Sequence, residues 1–154
     1  MKKAGIYGVI SLIAFSCSNG SSTGDNNSTV KVDSGISSMP TPNEQIGNHI
    51  KLSFAKDSNS LTTTAHLDSA LGTVICFLEV KQGRHLTASL EPATKTANIR
   101  FNQINLPNGT SDGPFGKTLD YTLKGPGLYK LQIGSSMMAE SPYTGKFILR
   151  VKVE

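Results

Sequence analysis

The chain has 154 residues, room for one domain, and carries 15 Lys and Arg against 11 Asp and Glu. Two cysteines exclude a disulfide-stapled scaffold. The Lys and Arg are scattered and form no run suited to tracking phosphates, so no nucleic-acid partner is expected.

The first element is a secretory signal over residues 1–16. Met1-Lys2-Lys3 is a short positive region, and Ala4 to Ser16 is mostly apolar. That run falls short of the about 20 apolar residues a transmembrane span needs. Ala14-Phe15-Ser16-Cys17 resembles a bacterial lipobox, which implies a lipid attached at Cys17 and hence anchoring to a membrane. The same residues satisfy the small-x-small rule of ordinary signal cleavage, so a soluble exported form is the alternative. The expected location is the bacterial cell envelope, on the outer membrane or facing the periplasm.

Residues 17–46 read as the lipidated cysteine followed by a tether. Ser, Gly, Asn, Thr and Pro dominate it, as in Ser18-Asn19-Gly20-Ser21-Ser22, with too little apolar surface to offset the entropy of ordering. From residue 47 to 154 the pattern changes to a folded domain with 12 basic and 8 acidic residues.

Within that domain apolar residues alternate with polar ones, the period of half-buried strands. In chain order these are Ile50/Leu52/Phe54, Leu61 to Leu67, Leu86/Ala88/Leu90, Ile99/Phe101, Leu119/Tyr121/Leu123, Tyr129/Leu131/Ile133 and Phe147 to Val153. Thr73 to Val80 is apolar on both faces, as a central strand is, and contains Cys76, expected to be a buried, inert thiol. Turn signals such as Pro107-Asn108-Gly109 and Gly125-Pro126-Gly127 separate the runs. No segment has a 3.6-residue period. The fold class is all-β: a single antiparallel two-sheet β-sandwich of about eight strands.

Ile50-Lys51-Leu52-Ser53-Phe54, Lys81-Gln82-Gly83-Arg84-His85-Leu86, Gly127-Leu128-Tyr129-Lys130-Leu131 and Gly145-Lys146-Phe147-Ile148-Leu149 occur in an order that resembles two related bacterial β-sandwich groups. These are the periplasmic inhibitors of goose-type lysozyme and the pre-peptidase C-terminal domains. The resemblance implies a β-sandwich without catalysis that binds a protein partner, a lysozyme in the first group. In that group a basic, arginine-containing stretch between the last two strands is implicated in binding the enzyme's cleft. Here Gly134–Thr144 carries neither Arg nor Lys.

That loop is apolar instead, and Met137, Met138, Glu140 and Tyr143 are the candidate partner-binding residues. The competing account folds both methionines back over the core. The chain has no Gly-x-Ser-x-Gly elbow, no paired histidines and no calcium-loop spacing, so no enzyme, cofactor or metal site is expected. His49, His66 and His85 are read as surface residues, and Asp112–Gly116 as a hairpin loop. The alternative function is a carbohydrate- or envelope-binding accessory module, or a structural envelope lipoprotein. A polar groove of Asn, Asp and aromatic residues on one sheet would favour glycan; a protruding 134–144 loop with exposed Met would favour protein.

Overall fold

The computed structural model describes residues 41–136, 138 and 141–154. The signal peptide at 1–16, Cys17 and the tether up to residue 40 lie outside the described residues, as do Met137, Ala139 and Glu140.

Each alternating run forms a strand, because inward positions bury apolar side chains while outward ones stay wet. In chain order the strands are β1 (Gln45–Ile46), β2 (His49–Leu52), β3 (Ser60–Leu67), β4 (Thr73–Val80) and β5 (His85–Pro92), then β6 (Ile99–Asn105), β7 (Ser111–Asp112), β8 (Thr118–Thr122), β9 (Gly127–Ser135) and β10 (Gly145–Val153). Two sheets result, ordered β1-β2-β4-β9-β6-β7 and β3-β10-β5-β8. Their inner faces share one core, with Tyr129, Phe101, Phe147, Leu78 and Leu131 all but sealed from solvent.

The chain reverses direction at every strand and usually changes sheet as well. Strands an odd number apart in sequence therefore pair antiparallel, and strands two apart pair parallel. That rule accounts for the one parallel pair among the described residues, β2 with β4, where His49 lies opposite Ile75 and Leu52 opposite Leu78. All other pairings are antiparallel. β4, read as central from its two apolar faces, does sit inside the larger sheet between β2 and β9.

The fold starts ahead of residue 47. The Asn43 side chain bonds the backbone of Ser53 in both directions at 2.8–2.9 Å, and Gln45 does the same with His66 at 2.7–2.9 Å. The buried Thr63 hydroxyl donates to the carbonyl of Asn43. Residues 41–154 thus contain both sheets and the core of the described residues, and form a unit with its own interior.

The hairpin turn after β6 lies at Pro107–Thr110, where the Gly109 amide donates to the Leu106 carbonyl at 3.0 Å. Asp112–Gly116 instead runs back along β6, with Phe115 bonded through its backbone to Phe101 and its ring edge-on to Tyr121 at 6.2 Å. Cys76 is fully buried, and burial pushes its thiol up to about 12. Thiol reagents are expected to leave Cys76 untouched at mildly alkaline pH and to label it only on unfolding. Mass spectrometry with and without denaturant checks this, and rapid native labelling would contradict it.

Candidate functional site

The loop between β9 and β10 leaves the sheet at Ser135, a serine only 6% exposed. Its hydroxyl donates to the Tyr143 carbonyl at 2.8 Å and accepts from the Tyr143 amide at 2.9 Å, closing the base of the loop like a ladder rung. The Tyr143 hydroxyl donates to the Lys146 carbonyl, and its ring packs on the core margin. Asn98 reaches across from the β5–β6 connection to the carbonyl of Ser136 at 3.2 Å. On the other side, a Cβ at Gly134 would lie 2.7 Å from the Asn102 amide and 3.0 Å from the carbonyl of Gly72. Glycine there lets the β3–β4 connection and β6 close against the loop's base.

On this braced platform Met138 is 96% exposed. The alternative in which it folds back over the core does not hold for Met138. Tyr143, expected at the contact surface, is half-buried and spends its polar atoms holding the loop. Of the other two candidates, Met137 and Glu140, both lie outside the described residues.

One residue of this end was missed from sequence. Leu71, in the β3–β4 connection next to Gly72, is 77% exposed. Its signal was a lone large apolar residue falling outside the strand alternation, beside a glycine. Leu71 and Met138 are exposed apolar residues at the same end, from two different connections. The end also carries charge: His66 is engaged by Asp68 at 2.6 Å, Lys117 donates to the Lys95 carbonyl at 2.7 Å, and Lys95 and Lys146 have no ion-pair partner among the described residues.

A second surface is the outer face of the larger sheet. The strand register sets Arg100, Gln103, Asn105, Lys130 and Gln132 together with Ile75 and Phe77 on that face. Its amides are already oriented: Gln132 donates to Asn105 at 2.8 Å, and Arg100 to Asn102 at 2.9 Å. Lys130 stands 5.8 Å over the Phe77 ring, and His49 tilts against the same ring at 5.5 Å. The remaining histidine, His85, faces Asp120 at 3.2 Å. The three histidines are thus in separate surroundings. Among the described residues no group of three or more His, Cys, Asp or Glu converges as a metal site.

No protein-family model matches the sequence, and no curated protein sequence does. Solved structures do match the fold. The periplasmic inhibitor of g-type lysozyme from Aeromonas hydrophila superposes with a TM-score of 0.56 at 17% identity, over 70% of this chain and 96% of that one. The chain has the fold of that lysozyme inhibitor. The corresponding inhibitor from Salmonella Typhimurium is also similar, with a TM-score of 0.47 at 13% identity, over 71% of this chain and all of that one. A mutant of the inhibitor from Escherichia coli gives the same values. The likeness is one of architecture, and it matches the resemblance read from the strand motifs. Function is carried by sites, and the site here has its own composition.

Proposed function

We propose that this chain is an exported, lipid-tethered, non-catalytic binding protein whose β9–β10 loop engages a protein partner. Its most specific form is a role like that of the g-type lysozyme inhibitors, in which a loop enters a cleft and blocks it sterically. The observation that carries the reading is Met138, presented at 96% exposure on a loop whose base is locked by Ser135 and Tyr143. An ordered base lowers the entropy lost on binding, and a long, unbranched thioether adapts to a cleft wall. The periplasmic setting of the structural neighbours supports an envelope location.

The loop from Gly134 to Thr144 has no Lys or Arg and a single acid, Glu140, so mostly apolar contact carries its recognition. Inhibition by residues 41–154 is therefore expected to change little between low and moderate salt, unlike that of a cationic plug. The test is a residual-activity titration against goose-type, chicken-type and invertebrate-type lysozymes. Stoichiometric inhibition of one type is expected, weakened by about thirtyfold in Met138→Asp if Met138 is a hot spot of the usual size. No inhibition of any type at micromolar concentration would sink the reading.

A second reading rests on the outer face of the larger sheet. Pre-oriented amides beside the Phe77 ring suit the alternating hydroxyl and C–H surfaces of a glycan. Calorimetry with envelope oligosaccharides would reveal it, and Gln132→Ala would then abolish the heat. Heat that persists in Gln132→Ala would place the glycan elsewhere.

A further inference from the structure

The register separates the two ends of the sandwich. Gly145 pairs with Leu67 and Thr73 with Gly134 at the end that carries Met138. Val80 pairs with Gly127, Val153 with Leu86 and His85 with Thr122 at the other. Strands of nine residues, such as β9 and β10, set these ends roughly 30 Å apart.

A groove of about 1110 Å³ runs from the far end onto the outer face of the larger sheet, and its lining includes Phe54, Phe77, Leu128, Lys51, Lys81 and Arg84. Leu128 is 46% exposed there, a large apolar side chain left on the surface. Lys56 in the β2–β3 connection and Lys124 in the β8–β9 turn stand at the same end. None of these five cations has an ion-pair partner among the described residues. The facing acids are Glu44, Asp57, Glu79, Asp120 and Glu154; Glu154 is taken up by Lys152 at 2.6 Å, and Asp120 faces His85 at 3.2 Å. The end is left with a net positive charge around an apolar floor.

Where the chain enters the fold is the second observation. The Asn43 amide donates to the carbonyl of Lys51, and the Asn43 side chain clasps Ser53. Both partners line the groove. The described chain therefore begins beside the groove, at the end away from Met138.

We propose that this end docks on an anionic lipid bilayer surface, with Leu128 and Phe54 entering the interface and Lys51, Lys81 and Arg84 meeting headgroup phosphates. Cations near such a surface gain energy from its negative potential, and apolar side chains add burial. A chain tethered to the membrane through its N-terminal segment would have this end held close to lipid. The Met138 loop would then face away, toward a partner in solution. The proposal does not depend on what that partner is.

The experiment is vesicle co-sedimentation of residues 41–154, which lack the expected signal and lipid. Vesicles of phosphatidylcholine alone are compared with vesicles containing phosphatidylglycerol. Binding to the anionic vesicles only, falling as salt is raised, is the expected result. Each cation is expected to be worth about fivefold in partition coefficient, so Lys81→Glu with Arg84→Glu should lower it by at least thirtyfold or so. Lys95→Glu with Lys146→Glu, at the Met138 end, should lower it less than about threefold by the same electrostatics. Leu128→Ser should reduce binding without changing its salt dependence. Circular dichroism confirms that each variant is folded. No binding to anionic vesicles, equal loss from both charge reversals, or uptake of a single-chain anionic amphiphile without vesicle binding would each overturn the proposal. Deleting the Met138 loop should leave vesicle binding intact, so failure of the inhibitor reading and failure of this one are separable.

Discussion

Tyr129→Ala is expected to destabilise the domain by about 3–5 kcal/mol, the range for removing a large buried aromatic side chain. Tyr129 is fully buried in the middle of the larger sheet, opposite Leu78 on β4. Its hydroxyl donates to the Gly125 carbonyl at 2.8 Å and accepts from the Lys124 amide at 3.1 Å. The ring thus fills the core while its polar tip fixes the β8–β9 turn, an arrangement like the tyrosine corner of other β-sandwiches. Gly127 allows the tight approach: its φ is +138°, and a Cβ there would lie 2.7 Å from the Pro107 ring. Tyr129→Phe keeps the ring and removes only the two bonds, at a cost of about 1–2 kcal/mol. Thermal unfolding separates the two, since a domain of this size loses roughly 4–8 °C per kcal/mol. Equal losses from Phe and Ala would mean that the turn, rather than core filling, is what Tyr129 supplies.

Tyr129 also shows what the sequence could reveal. Its place in the alternation Tyr129, Leu131, Ile133 marked it as buried, and the neighbouring Gly125-Pro126-Gly127 marked the turn. All eight runs read as strands are strands. β1 and β7 escaped because two residues cannot display a period of two. Alternation says which side chains point inward but not which sheet a strand joins, so the parallel pairing of β2 with β4 was illegible. Asn43 and Gln45 looked like tether for a related reason. Their role is side-chain bonding to the backbone of Ser53 and His66, which leaves no hydrophobic pattern. At the candidate site, the apolar composition of Gly134–Thr144 pointed to the loop, and the exposure of Met138 is what the fold adds. The apolar residue that shares its end, Leu71, arrives from another connection, and only the fold sets the two connections at one end.

Ser135→Val is expected to weaken partner binding although Ser135 itself is buried beneath the loop. Valine approximates the shape of the space but bonds neither the amide nor the carbonyl of Tyr143, leaving both partly buried groups without their partner. A loss of stability on the order of 2 kcal/mol follows from the two unmade bonds. With its base unlocked, the loop would sample more conformations, and the lost order must be recovered on binding. Met138→Ala makes the opposite case. An almost fully exposed side chain contributes little to folding, so stability should stay within about 0.5 kcal/mol while binding falls. Measured side by side, the two variants distinguish a contact residue from one that positions it. Should Ser135→Val lose stability yet bind as tightly as the parent, the loop would not need its clamp, and the preorganised-loop mechanism would fail. A Met138→Ala variant that binds normally would move the contact surface elsewhere on the loop, or to the Leu71 side of the same end.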